Sequence, residues 1–331
     1  MKRKTIIRCA AAVLAGLLFC GCGVKKEKSV SQTGFALNTV IQITLYGTED
    51  ENLITDCFRL CNQYEQMFSR TIETSEIARL NKENTVELSD ETAELLEKGL
   101  YYSDLSGGAF DITIEPISSL WDFTADKPAL PKSEEIEENL PYVDYTRLSL
   151  NGRVAEIEPG MGVDLGAIAK GYIADRLKDY LLEQGVTSAT INLGGNVLCV
   201  GEKENGDGFL IGIQNPKEPS KIQGGVTISD QSVVTSGDYE RNMVVDGVKY
   251  HHILNPDTGY SYMNDVASVT IISDYSVDGD GLSTTCFSLG IEKGLELINS
   301  IDDVYAMFID QNGNAYYSNG FEEHTQYQEM K

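Results

Sequence analysis

The chain has 331 residues, 51 of them acidic and 26 basic, for a formal net charge of −25 at pH 7. Such a surface repels the phosphates of nucleic acid and disfavours broad contact with anionic lipid, which excludes nucleic-acid recognition as a function. An anionic ligand therefore needs local shielding by a metal, a lysine or the free N–H groups of a helix start.

At the N-terminus, Lys2, Arg3, Lys4 and Arg8 precede the apolar run "CAAAVLAGLLFCGC". That run is too short to span a bilayer as a stable helix and reads as a secretory signal. Gly21-Cys22 fits a lipoprotein cleavage site, with Cys22 carrying the lipid. Cys20, directly after bulky Phe19, is the weaker position, and a signal cleaved without lipidation is the alternative. Residues 1–21 are then a signal peptide, residues 22–33 a polar tether, and residues 34–325 the folded body. This arrangement places the body on the outer face of a bacterial cytoplasmic membrane, held by its lipid.

Within the body, "FALNTVIQITLYG" alternates apolar and polar residues and predicts a strand. Leu53, Phe58, Cys61, Tyr64 and Phe68 recur at near-helical spacing, so residues 50–68 form a helix. A second helix covers residues 89–106, with Ser89 or Asp90 as cap. "GGAFDITIEPI" reads as a turn followed by a strand, and residues 128–145 as an acidic, proline-bounded excursion with a short helix. Ile173, Leu177, Tyr180 and Leu181 form a stripe on a helix running from near Leu165 to Gly185. "TSATINLGGNVLCVG" is strand, Gly-Gly turn, strand, and "RNMVVDGVKYHHIL" is a hairpin closed by Asp246-Gly247. "ASVTIISD" is another strand, and "GDGLSTTCFSLG" opens a helix that Gly290 ends. Strands dominate the second half with helices between them, so the class is α+β. Cys57, Cys61, Cys199 and Cys286 lack metal-ligand spacing and read as buried thiols.

Three places could carry chemistry. The hairpin register sets Arg241 opposite His252 and turns His251 to the other face. Adjacent strand residues cannot share one metal, whereas an arginine beside His252 favours the neutral imidazole that accepts a proton. A partly buried histidine that stabilises the hairpin is the plain alternative. "DLGAIAKG" sets Asp164 before a helix start, with Ala167 and Lys170 in its first turns, which suits an anion or a simple cap. "DGLST" puts the oxygen donors of Asp280 and Thr284 four residues apart on a helix, suited to magnesium but also common as a cap followed by a threonine.

Taken in order, "SGGAFDITIEPISSLWDF", "VDLGAIAKGYIADRL", "INLGGNVLCVG", "TSGDYER", "HHILNPDTGY" and "DGLSTTCFSLG" resemble the FAD:protein FMN transferases, the ApbE family of flavin transferases. The resemblance runs from about Phe35 to Phe321. It implies an ApbE-type, T-fold-like domain of mainly antiparallel sheets and packed helices, with FAD bound between two lobes. It also implies a magnesium-dependent reaction in which a threonine hydroxyl of an acceptor protein takes FMN from FAD and AMP leaves. Acceptors of this kind are membrane electron-transport subunits or secreted flavoproteins. Carried over by motif, Leu37, Ala109, Phe110, Asp111, Asp164, Lys170 and Ile253 would contact FAD. The Ala167 carbonyl, Asp280 and Thr284, with Ser283 beside them, would hold Mg2+, and His252 would be the base.

Three stretches depart from the family pattern. "LNT" at Leu37 replaces Met-Gly-Thr, "DGLST" replaces Asp-Ala-Leu-Ser-Thr, and "SRT" at Ser69 offers no aromatic to stack on the nucleotide. Trp121 and Tyr239 are the aromatics that could substitute. The competing readings are an FAD pyrophosphatase using water at the same site and a non-catalytic, lipid-anchored flavin-binding protein. A solute-binding lipoprotein fits less well, since it predicts parallel strands in two similar lobes.

Overall fold

The computed structural model describes residues 28–123 and 128–329. The expected signal peptide and Cys22 lie outside the described residues. β1 (Ser29–Ala36) and β2 (Thr39–Tyr46) form a hairpin across Leu37 and Asn38, whose φ angles are 54 and 56°. Two successive positive φ values are what a two-residue I′ turn requires, so the single strand expected over residues 35–47 is broken in two. β1 also takes in Ser29–Thr33, which composition alone assigns to the tether. As the outermost strand of its sheet it buries little, and so carries almost no apolar pattern.

α1 (Glu51–Phe68) buries Ile54, Cys57, Cys61, Tyr64 and Phe68 along one face. α2 (Glu76–Glu83) and β3 (Thr85–Glu87) follow, then α3 (Asp90–Leu105), capped by the Ser89 side chain on the Thr92 N–H. The strand expected in "GGAFDITIEPI" does not form. Asp111 instead accepts the N–H and hydroxyl of Thr113 at 2.7 and 2.6 Å, a local side-chain bond that competes with a ladder. α4 (Glu115–Ser118), α5 (Ser133–Asn139), β4 (Ser149–Asn151) and β5 (Val154–Glu156) complete the first half.

α6 (Ala169–Glu183) starts four residues later than expected, because Asp164 turns back onto the Gly166 N–H at 2.9 Å and holds residues 166–168 in a turn. β6 (Ala189–Leu193) and β7 (Asn196–Val200) form the expected Gly-Gly hairpin. β8 (Phe209–Gln214), β9 (Ile222–Ile228) and β10 (Ser232–Gly237) come next. β11 (Asn242–Val245) and β12 (Val248–His251) pair in the expected register, Val245 with Val248 and Met243 with Tyr250. β13 (Val266–Ser273) leads into α7 (Ser276–Leu289) and α8 (Ile291–Ile298). β14 (Tyr305–Asp310), β15 (Ala315–Tyr317), α9 (Phe321–Thr325) and β16 (Gln328–Glu329) end the described chain.

One eight-stranded sheet organises the molecule, in the order β1-β2-β6-β7-β10-β13-β14-β15, and every neighbouring pair is antiparallel. Alternation along its strands divides two cores. Leu198, Ile271 and Phe308 face α1, α6 and α7, while Cys199, Ile272 and Met307 face β8, β9 and α9. A third, smaller cluster joins Ile117, Trp121 and Ile136 to Met243 and Leu254, and forms a minor lobe around the β11–β12 hairpin. The class is α+β, as expected. The four described cysteines are buried thiols.

Candidate functional site

α6 and α7 pack so closely at their N-terminal ends that a Cβ on Gly171 would stand 2.2 Å from the Ser276 carbonyl oxygen. Each helix supplies a carboxylate to the other's start. Asp175 of α6 accepts the N–H groups of Ser276 and Val277 at 2.8 and 2.9 Å. Burial raises the Asp175 carboxyl to about 7, against those two hydrogen bonds. Asp280 of α7 accepts the Gly171 N–H at 2.5 Å and the Asn196 side-chain amide at 3.0 Å. The Gly171 N–H would ordinarily close the first turn of α6 on the carbonyl of Ala167, four residues back. Its commitment to Asp280 releases that carbonyl.

Thr284 lies one turn beyond Asp280 on the same helix face, its hydroxyl only in long contact with Ser236 Oγ at 3.4 Å. The Asp280 carboxylate, the Thr284 hydroxyl and the freed Ala167 carbonyl are three hard oxygen donors, a set that fits Mg2+ with water and phosphate oxygens as its other ligands. Ser283 has partners within the protein. Fully buried, it donates to the Asp280 carbonyl at 3.0 Å and pairs with Ser236 at 2.9 Å, bonds that brace the helix beside the Asp280 carboxylate. Gly281, where the family pattern has alanine, lies inside α7, which begins at Ser276. A Cβ there would meet the Tyr102 ring at 2.3 Å, and this close approach explains the missing alanine.

Lys170, in the first turn of α6, is half-buried and has no ion pair or hydrogen bond from its ammonium among the described residues. Asp164 is held elsewhere. It pairs with Arg70 Nε at 2.9 Å and accepts Ser118 Oγ at 2.9 Å, besides its turn to Gly166. Arg70 also reaches Glu115 at 3.7 Å, so the "SRT" stretch contributes a cation where the family pattern has an aromatic. Asp111 faces inward, accepting Thr113 and the Tyr145 N–H at 3.0 Å, and its carbonyl accepts the Ile114 N–H at 3.3 Å, which leaves its own N–H rather than its carboxylate for a ligand. Burial also raises its carboxyl. Next to it, Phe110 is buried and the Ala109 carbonyl accepts Tyr262 Oη at 2.8 Å. Trp121 cannot serve as an exposed stacking surface, since it is buried in the minor lobe with its Nε1 on the Gly259 carbonyl.

The hairpin carries the other half of the site. His252 N–H bonds to the Arg241 carbonyl at 3.0 Å, so the register continues one pair beyond β11–β12 and sets the two opposite each other as expected. His251 points the other way, buried, with Nε2 on the Tyr262 carbonyl at 2.8 Å and its ring edge-on to Phe287. Burial, then the charges of Arg241, His251 and Lys170, press the His252 pKa down to about 3, so the ring is neutral at pH 7. His252 Nδ1 is buried without a hydrogen-bond partner among the described residues, which leaves Nε2 as the nitrogen able to meet a ligand. Glu240 keeps an open side to solvent, yet the crowding around its carboxyl raises it to about 7, with Lys170 and Arg241 opposing and Asp280 adding. Lys170 and Arg241 act on both His252 and Glu240, and Asp280 acts on Glu240, so these five groups lie near one another where the hairpin meets the α6 and α7 starts. Arg241 further ties the hairpin to the Asn38 carbonyl at 3.4 Å, beside Leu37, while Ile253 packs into the main core. A separate surface depression lined by Lys178, Asp230, Gln231 and His324 has its polar groups paired among themselves.

A model of the ApbE family matches residues 37–308. The chain belongs to the ApbE family. An FAD:protein FMN transferase of Klebsiella pneumoniae is 36% identical over 289 residues, covering 85% of this chain and 89% of that protein. Another, of Treponema pallidum, is 33% identical and covers 90% of this chain and 88% of its own. Among solved structures, the ApbE protein of Thermotoga maritima has a TM-score of 0.83 at 30% identity, covering 90% of this chain and 99% of that one. The apo flavinyl transferase ApbE of Pseudomonas stutzeri has a TM-score of 0.80 at 28% identity, with 90% and 97% covered. In this ApbE chain, sequence reasoning missed Arg70, Asn196 and Glu240. Each lies in a quoted stretch, Arg70 in "SRT", Asn196 in "INLGGNVLCVG" and Glu240 in "TSGDYER", but nothing local marks its partners.

Proposed function

We propose that this chain is an FAD:protein FMN transferase, magnesium-dependent, that places FMN on a threonine hydroxyl of an acceptor protein and releases AMP. One observation carries it: the hydrogen bond from Gly171 to Asp280, which orients a carboxylate one turn before Thr284 on α7 and releases the Ala167 carbonyl at the start of α6. Magnesium bound by these three oxygens would neutralise the charge of the FAD pyrophosphate. Lys170 and the N–H groups at the start of α6 add positive potential for the same phosphates in a protein of net charge −25.

Threonine is a weak nucleophile at its normal pKa, so its proton needs a waiting base. Neutral His252 takes that proton at Nε2 as the threonine Oγ–P bond forms. The P–O bond to the AMP phosphate breaks, and AMP carries away the electron pair. A ring as reluctant to protonate as His252 is a poor base alone. Bound pyrophosphate would offset Lys170 and Arg241 and raise its pKa toward the useful range. Leu37, the Ala109–Phe110 backbone and Ile253 would line the flavin side, with Asp164 held by Arg70 and Ser118. Asp111 would contribute its backbone there.

Among the described residues no helix is long and apolar enough to cross a membrane. Cys22 would anchor the body by lipid to the outer face of the cytoplasmic membrane, where membrane electron-transport subunits or secreted flavoproteins are its acceptors. The test is to incubate the protein with FAD, Mg2+ and a threonine-bearing acceptor, then weigh the acceptor. A gain of one FMN phosphoester with AMP in equal amount is expected. Free FMN and AMP beside an unchanged acceptor would identify an FAD pyrophosphatase instead.

A further inference from the structure

A closed ring of buried hydrogen bonds surrounds the Asp280 carboxylate, and three of its members, Asn196, Ser276 and Asp175, have no part in the chemistry above. Asn196, at the start of β7, donates through Nδ2 to Asp280 Oδ1 at 3.0 Å and accepts Ser276 Oγ at its own Oδ1 at 2.7 Å. Ser276 opens α7, and its N–H goes to Asp175 of α6 at 2.8 Å. Asp175 lies one turn beyond Gly171, whose N–H returns to Asp280 Oδ2. Asn196, Ser276, Asp175 and Asp280 are all at most 5% exposed. The ring therefore passes through both helices and the Gly-Gly turn and comes back to the carboxylate where it began.

We propose that Asn196 and Asp175 are positioning residues for the cation: together they fix the plane of the Asp280 carboxylate and the spacing of the two helix starts that supply the metal's oxygens. This rests on the magnesium site proposed above and adds to it the groups that shape it. A carboxylate oxygen accepts two hydrogen bonds, and each Asp280 oxygen receives one from the protein, which leaves one lone pair on each side for a cation. The Gly171 bond serves two ligands at once, since it orients Asp280 and frees Ala167. That bond forms only while the α6 start lies against the α7 start, and Asp175 holds them there by taking both leading N–H groups of α7. Asn196 fixes the remaining rotation of the carboxylate. Outer partners of metal ligands are typically worth about 10–100-fold in metal affinity.

The test is calorimetric titration of Mg2+ into FAD-loaded protein, with FAD affinity measured separately in EDTA. Asn196→Ala is expected to weaken Mg2+ binding by about 10–100-fold while FAD affinity in EDTA stays within about twofold. Its transfer rate should recover at saturating Mg2+, a split that loss of packing alone does not give. Asp175→Asn keeps the side-chain shape but turns one N–H toward an α7 N–H, and should weaken Mg2+ in the same direction; it serves as the second variant if Asn196→Ala fails to fold. Wild-type Mg2+ affinity in a folded Asn196→Ala with a lowered melting temperature would overturn the proposal and leave the residue as packing. Undiminished Mg2+ binding in Asp280→Ala would instead overturn the metal site itself.

Discussion

The two halves of the site are built in opposite ways. The α6–α7 half lies inside the main core, is cross-braced by buried carboxylates, and leaves Asp280 at 4% exposure with both oxygens hydrogen-bonded. The β11–β12 half is a two-stranded hairpin outside the eight-stranded sheet, supported by its own small cluster around Trp121 and Met243. A lone hairpin is marginal in water, so His252 depends on that cluster for its position. On the function proposed above, the difference is a division of labour: the braced half would hold the cation, and the hairpin half would bring His252 to the acceptor hydroxyl.

Removing a piece of the rigid half should have the largest effect. Asp280→Ala is expected to abolish turnover and to weaken FAD binding only when Mg2+ is present. Near-normal turnover of this variant at low millimolar Mg2+ would break the comparison at once.

Loosening the other half should be milder and of a different kind. Met243→Ala removes a buried anchor of the hairpin and should cost about 2–5 kcal/mol of local stability. Hydrogen exchange should then accelerate at the β11–β12 amides and not in β6 or β13. Transfer should slow while Mg2+ affinity holds, and equal protection loss in both regions would show that they are not separate units.

The smallest effect is on acid stability. His252 titrates near 3 in the folded protein, below its ordinary 6.5, so the unfolded chain binds that proton first as pH falls. The contribution of neutral His252 to stability is complete above pH 6.5 and is lost as pH drops toward 3. Asp175, raised to about 7, acts in the opposite sense. It is common to both proteins in a comparison of wild type with His252→Ala. Denaturant unfolding at pH 7.5 and pH 5 should show a smaller acid loss for His252→Ala, and parallel losses would contradict the depressed pKa.

What the sequence revealed follows the same division. The hairpin register was legible because Asp246-Gly247 fixes a two-residue turn, and one turn fixes every pair after it. The Asp280–Thr284 pair was legible because helical spacing alone puts both on one face. β1 was not legible, since a polar edge strand has no apolar period. β9 holds Gly224 and Gly225, and Gly224 is there because Tyr327 packs against it, with a would-be Cβ 2.4 Å from the ring. Arg70 and Asn196 were missed for a further reason: their partners Asp164 and Asp280 lie 94 and 84 positions along the chain. No local pattern encodes such a meeting.

The central claim, that one half binds and the other reacts, is tested most directly by rapid mixing of an acceptor protein with FAD- and Mg2+-loaded His252→Ala. FAD and Mg2+ affinities within about twofold of wild type are expected, with a transfer step slower by roughly two to four orders of magnitude. His251→Ala, altered on the opposite face of the same strand, should transfer at nearly the wild-type rate. Equal losses in both variants, or a loss of binding that accounts for the loss of rate in His252→Ala, would contradict it.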